Sequence, residues 1–182
     1  MQLTFAALTK TVLMRNLLLF SFLLIISSAA IAQDETGFKF SVGPELGFAA
    51  GSFSNTHSVG TGATLQAEYP MFDKTSLTGT VGVLFYAGKS QGNNLKNNPQ
   101  TIIPLRGGIK YFVSGGAYIG AQAGVAFLGS YDKYVSFAYS PLLGYEFETK
   151  SGKSLDATLK YDAYSGGNGT IGAIGVRLAY FF

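Results

Sequence analysis

The chain has one imidazole, His57, and it stands among hydroxyls: Ser52, Ser54 and Ser58 lie within five residues of it. A serine hydroxyl beside a histidine supplies a nucleophile and a base, but an acid to orient the ring has to come from elsewhere in the chain. The same composition is that of an exposed loop, so His57 is the sole catalytic candidate of the sequence and a loop residue on its simplest reading. Gly167-Asn168-Gly169-Thr170-Ile171-Gly172 matches the spacing of a dinucleotide-binding turn. That turn needs a strand before it and a helix after it, whereas here a strand-like segment runs on to the last residue. Asn168-Gly169-Thr170 has the form of a glycosylation acceptor without the context for it, and Ser90–Pro99 reads as a solvated loop whose tip is a site for ligand recognition. With no Cys there is neither a disulfide framework nor a thiolate metal site, and no cofactor is expected.

The residues with more to say are charged ones in alternation. Ser154, Asp156, Thr158, Lys160 and Asp162 alternate with Leu155, Ala157, Leu159, Tyr161 and Ala163; Arg106 and Lys110 alternate with Leu105, Ile109 and Tyr111. Period-2 patterning of this kind puts one set on each face of a strand. It recurs between clusters of Gly, Asn, Ser, Asp and Lys and predicts strands at 37–50, 59–71, 76–88, 101–112, 117–128, 134–147, 154–164 and 170–182. These segments are longer than the five or six residues usual in globular sheets and match tilted strands that cross a bilayer with some overhang. The connections after the first, third, fifth and seventh are expected to be longer than those after the second, fourth and sixth, which is the asymmetry of an outer-membrane barrel with its short turns in the periplasm.

Carried through all eight strands, one face collects Lys39, Arg106, Lys110, Lys160 and Arg177 with Glu45, Glu68, Glu146, Asp156 and Asp162. A charge at the bilayer midplane costs about 2–4 kcal/mol, so these ten residues are expected to face inward and pair in the lumen. A soluble ligand-binding barrel reverses the arrangement, polar outside and apolar within. Aromatic residues fall near strand ends, with Phe38, Phe40, Tyr69, Tyr111, Tyr145, Phe147, Tyr180 and Phe182 at one rim and Phe48, Phe85, Phe127, Phe137 and Tyr161 at the other, as interfacial girdles require. Eight strands enclose room only for side chains, which disfavours an open pore.

Composition agrees. Only 13% of the 182 residues are charged, 47% are apolar, and 24 are Gly; a soluble domain carries about a quarter charged residues, and disorder needs far less apolar content. Lys10 and Arg15 precede the apolar run Leu17–Ile26, followed by small residues up to Ala30-Ile31-Ala32 and then Gln33. This is the pattern of a secretory signal, so 1–32 is expected to be a cleaved signal peptide and 33–182 an outer-membrane β-barrel domain. Removing 1–32 leaves 11 basic against 10 acidic residues, and no basic patch argues for nucleic acid.

The chain ends Ile174-Gly175-Val176-Arg177-Leu178-Ala179-Tyr180-Phe181-Phe182, apolar at every second position and terminating on Phe. This resembles the terminal signal of bacterial outer-membrane barrels, and the whole chain after residue 32 resembles the small barrels of the OmpA-domain and OmpX type or the PorT-like barrel-domain proteins. The resemblance implies an all-β, eight-stranded antiparallel up-and-down transmembrane β-barrel in the bacterial outer membrane. It also implies that the barrel-assembly machinery reads Leu178, Tyr180 and Phe182. The expected role is structural, adhesive or otherwise binding, through surface loops that meet an unidentified surface ligand while outer-membrane lipid surrounds the barrel. Since some small barrels modify lipid A with a His and a Ser near the outer rim, an outer-leaflet lipid acylase or deacylase is the alternative, and a narrow channel the third. Pro44, Pro104 and Pro141 fall inside strands that have no free edge, so a lost ladder bond or a shift of register is expected at each.

Overall fold

The computed structural model describes residues 37–91, 95–129, 133–149, 153–167 and 169–182. The expected signal peptide, 1–32, lies outside the described residues. Phe38–Phe182 form one compact unit. It contains eight long strands: β1 (Lys39–Ala50), β2 (His57–Phe72), β3 (Thr75–Gly88), β4 (Gln100–Ser114), β5 (Ala117–Gly129), β6 (Lys133–Glu148), β7 (Ser154–Gly166) and β8 (Gly169–Phe181). Each pairs antiparallel with its chain neighbours, and β1 closes on β8 to complete a barrel. A 3-10 turn at Gly51–Asn55 and a two-residue pairing of Ser90–Gln91 with Leu95–Lys96 complete the described elements.

The strands run 12 to 16 residues, so each spans roughly 30–40 Å of barrel height at the usual rise and tilt, more than the ~25 Å apolar band of such barrels. Most begin or end a residue or two beyond the expected bounds. Pairing continues to Gly129↔Lys133 and to Gly166↔Gly169, a residue or two past the expected strand ends at 128, 134, 164 and 170. Gly169, the first paired residue of β8, stands at φ +107°, a conformation glycine adopts without the strain of a side chain. The two longest connections between the long strands are 51–56 and 89–99, and they lie on one rim.

The prolines keep register. At each of Pro44, Pro104 and Pro141 two residues drop out of pairing on one side while the partner on the other side stays paired, and the ladder resumes unshifted: Val42↔Tyr180 is followed by Glu45↔Arg177, Val81↔Leu105 by Leu84↔Ile102, and Tyr139↔Ala163 by Leu142↔Lys160. The ring deletes one donor and leaves the rest of the strand in place. Register shifts occur instead between His57 and Gly60, Pro70 and Phe72, and Phe112 and Ser114. These are near strand ends, where an extra residue deforms only a rim.

Alternation decides the faces. Among the described residues, 32 large apolar side chains are exposed, and apart from Phe38, Phe72 and Tyr134 at the rims they fall on the outward set of their strands; Leu178 at 60% and Val135 at 59% are among the most open. The inward set is buried and largely polar.

Candidate functional site

Inward-facing charges gather in linked groups. Lys110 of β4 reaches across the lumen to Glu68 of β2 (2.9 Å), Glu146 of β6 (2.9 Å) and Asp156 of β7 (2.8 Å), while its Nζ sits 4.2 Å above the Tyr118 ring of β5. Tyr118 in turn donates to Asp156 at 3.0 Å and bonds the Thr158 hydroxyl. One ammonium thus meets three carboxylates and donates to two of them, Glu146 and Asp156.

Further along the lumen Arg106 of β4 pairs with Asp162 of β7, and the Ser140 hydroxyl of β6 joins both. Lys160 of β7 bridges Glu45 of β1 (2.8 Å) and Asp162 (3.5 Å). Arg177 of β8 donates to the hydroxyls of Thr64 (2.7 Å) and Ser41 (2.9 Å), with Asp156 3.8 Å from its Nη1. Neutral residues fill between, as Gln122 of β5 donates to Thr78 and Thr80 of β3 at 3.2 and 2.9 Å. Glu45, Glu68, Arg106, Lys110, Glu146, Asp156, Lys160, Asp162 and Arg177 are all buried. Lys39 is not: as the first residue of β1 it shares the inward parity but is exposed beside a mouth cavity of about 700 Å³ at the short-turn end, and among the described residues no ion pair holds it. The lumen wall has not yet closed at that level.

The other end of the interior is apolar, which alternation of charge did not reveal. Phe53 folds in from the 51–55 turn onto Leu84, Tyr86, Ile102, Ala126, Leu128, Ala138, Tyr164 and Ala173, with its ring 5.1 Å from that of Tyr86. Tyr86, Tyr118 and Tyr164 share inward parity with Thr80, Gln122 and Asp162 on their own strands, and that parity was the available signal. Tyr86 lies across Gly47 and Gly60, where a Cβ would stand 2.1 Å and 2.7 Å from its atoms, so glycine there makes room for the ring. No periodicity marks Phe53, since it sits in a turn.

His57 opens β2 at this end and stacks on Phe53, centroids 4.5 Å apart. Its Nε2–H donates to the Asn98 carbonyl (3.1 Å), so in the neutral ring Nδ1 carries the lone pair and accepts from Thr56 Oγ1 (2.8 Å). The hydroxyls of Ser52, Ser54 and Ser58 donate to the carbonyls of Thr170, Gly51 and Ala87. The imidazole thus ties the two longer loops together, and the three serine hydroxyls bond backbone carbonyls instead of its ring. Gly167–Gly172 spans the β7–β8 hairpin, with strand on both sides. Leu178 and Tyr180 are exposed on the outer face and Phe182 is half-buried on the same set, its N–H donating to the Phe40 carbonyl at 3.1 Å.

No family model matches the chain, and no curated protein matches it in sequence. Solved structures do. Ail, the attachment invasion locus protein of Yersinia pestis, superposes with a TM-score of 0.53 at 12% identity over 80% of this chain and 97% of that one. Neisserial surface protein A gives 0.54 at 14% identity over 80% and 96%. This is the fold of the small outer-membrane barrels. The backbone structure of Ail in a phospholipid bilayer nanodisc agrees, with a TM-score of 0.53 at 12% identity over 79% of this chain and 99% of that one. At such identities the likeness is one of fold, and none of these proteins' residues transfers to this chain.

Proposed function

We propose that the chain is an integral protein of the bacterial outer membrane, of the OmpX-like or PorT-like kind, that binds a surface partner through its two longer loops. On this reading residues 1–32 are removed on export, the barrel-assembly machinery takes the chain by Leu178, Tyr180 and Phe182, and the short turns face the periplasm. The observation that carries the location is the inversion of the fold: 32 exposed large apolar side chains around nine buried charges, an apolar surface far beyond what a water-soluble monomer tolerates. The longer connections 51–56 and 89–99 share one rim and are joined there by His57 to Asn98 and by Lys89 Nζ donating to the Ser54 carbonyl (2.7 Å). They form a polar, bonded surface at the end away from the short turns. Attachment in the name of Ail is a property of that protein, and it makes adhesion the first activity to test here. Replacing Ser90–Pro99 by a Gly/Ser segment of equal length is expected to leave the heat-modifiable folded band on SDS gels intact and to lower attachment of expressing cells to host-cell or matrix-protein layers. Unchanged attachment with this loop and with 51–56 replaced refutes the binding role. Recovery of the protein in a detergent-free soluble fraction refutes the location.

A further inference from the structure

Glu68, Ser76 and Glu146 are the buried polar residues on the lining of the mouth cavity at the short-turn end, none of them more than 9% exposed. Lys110 and Gln66 both meet Glu68 through Oε2, and Lys110 meets Glu146 through Oε1. Among the described residues nothing bonds Glu68 Oε1, Glu146 Oε2 or the Ser76 hydroxyl. The two carboxylates are anchored on one nitrogen, and Ser76 is the cross-strand partner of Lys110, so the three acceptors stand together at the floor of the cavity.

The mouth also carries surplus negative charge. Lys110 is one cation against three carboxylates, and around the cavity Glu68, Asp73, Glu146 and Glu148 face Lys39 alone. Lys39 is the cross-strand partner of Glu68, yet it is exposed and in no ion pair among the described residues. Solvent entering the mouth serves the hydrogen bonds of these groups and leaves their charge uncompensated beside hydrocarbon. One layer deeper the barrel shows what answers such a combination: an alkylammonium, that of Lys110, lies among Glu68, Glu146 and Asp156 and 4.2 Å above the Tyr118 ring. The cavity repeats the pattern with the other oxygens of the same two glutamates. Its ring is Phe112, half-buried on the lining with its centroid 5.6 Å from that of Tyr118. At about 700 Å³ the cavity is the size of a small-molecule pocket, about 300–1,000 Å³, and far larger than a bare metal ion. Among the described residues no three His, Cys, Asp or Glu are grouped to hold a metal.

We propose that the short-turn mouth binds a primary alkylammonium whose nitrogen donates to Glu68 Oε1, Glu146 Oε2 and Ser76 Oγ and whose methylene stem lies against Phe112. The three N–H groups of an ammonium match the three acceptors, two of them charged. A free diamine and the lysine side chain of a polypeptide share this chemistry. Lys39, beside Glu68 on the neighbouring strand, is the local competitor for the same oxygens.

The barrel, purified from membranes and held in a zwitterionic detergent at physiological ionic strength, is titrated with cadaverine and, separately, with an end-blocked Gly-Lys-Gly peptide, and binding is read by isothermal titration calorimetry. Saturable one-site binding of either probe is the expected result, tighter for cadaverine if the source is a free amine and tighter for the peptide if it is the lysine of a polypeptide. Glu146→Gln should weaken binding roughly tenfold through the loss of a charge-assisted bond, and Ser76→Ala by less, in variants that keep the heat-modifiable folded band. Lys39→Met should tighten it by removing the competitor, a gain that damage to the fold does not produce. The site is overturned if neither probe saturates, if the peptide binds equally with its lysine acetylated, or if affinity is unchanged in Glu146→Gln. Unchanged or weaker binding in Lys39→Met overturns it as well, and so does saturation by calcium that neither amine displaces. Binding to the purified barrel is independent of adhesion through the loops and of which side of the membrane the mouth faces, so failure here leaves the proposed function standing, and the reverse.

Discussion

Replacing Lys110 by Met removes a charge and little volume, which makes it the sharpest perturbation of the interior. Lys110 is 1% exposed and holds Glu68, Glu146 and Asp156 at 2.8–2.9 Å. Without it, three carboxylates face one another in a site from which water is largely excluded. Breaking a buried ion pair by deleting one partner costs about 3–5 kcal/mol. Glu146 and Glu68 both line the mouth cavity, and each relieves part of its own share by hydration; Asp156, at 1% exposed and away from that cavity, has no such outlet. The expected loss is therefore about 3–5 kcal/mol, read as a lowered urea midpoint in lipid vesicles. With no Trp in the chain, the folded fraction is best followed by the heat-modifiable band on SDS gels. Adding Glu68→Gln to Lys110→Met should restore part of the loss, so the pair is non-additive. Lowering the pH toward 4 should narrow the gap between the variant and the unmodified barrel, because protonated acids need no cation. An unchanged midpoint with an additive double variant refutes the cross-link as a stabilising element.

Arg177→Ala, by contrast, is expected to cost less than Lys110→Met, roughly 1–3 kcal/mol, because Arg177 holds two neutral hydroxyls and its nearest carboxylate is 3.8 Å away; an equal or larger drop in urea midpoint contradicts that ranking. Phe53→Ala should cost about 3–5 kcal/mol, read as a lower urea midpoint, yet leave planar bilayers non-conducting, since the Lys110 cross-link still fills the lumen; a steady conductance would revive the channel reading. Deleting Phe182 is expected to lower outer-membrane levels and leave precursor or degraded protein in the periplasm, with normal levels placing the assembly signal elsewhere. Mass spectrometry of the membrane form should find residues 1–32 missing, and an intact N-terminus refutes their removal.

The barrel was legible because its strands carry polar and apolar residues in strict alternation. Asp156, Lys160 and Asp162 set against Leu155, Leu159 and Tyr161 leave β7 only one orientation in a bilayer. Which charge meets which was not legible. Partners across the lumen are separated by shear as well as by strand number, so Arg177, chosen from sequence as a paired charge, binds Thr64 and Ser41 more closely than any acid. Tyrosine is ambiguous for a different reason, since a ring with a polar tip suits an interfacial girdle as well as a lumen. Tyr145 and Tyr180 took the first place, Tyr118 and Tyr164 the second. The Phe53 closure and the His57 bond to Asn98 depend on loops meeting in space, and nothing local in the chain encodes that.

Lipid changes what the interior has to do. In water a core is stabilised by withdrawing apolar surface from solvent, but once a barrel lies among acyl chains its outer residues gain little from exchanging lipid for protein. Uniqueness then falls to the strand ladder and to whatever crosses the lumen. Here the crossings link strands that are not neighbours: Lys110 ties β4 to β2, β6 and β7, and Gln122 ties β5 to β3. Arg177 of β8 reaches past its neighbour β1, where it bonds Ser41, to Thr64 of β2. A one-residue slip of any strand would turn its lumen charges into lipid. The polar interior is thus the term that penalises wrong register, and the rim that presents His57, Lys89 and Asn98 inherits its rigidity from it.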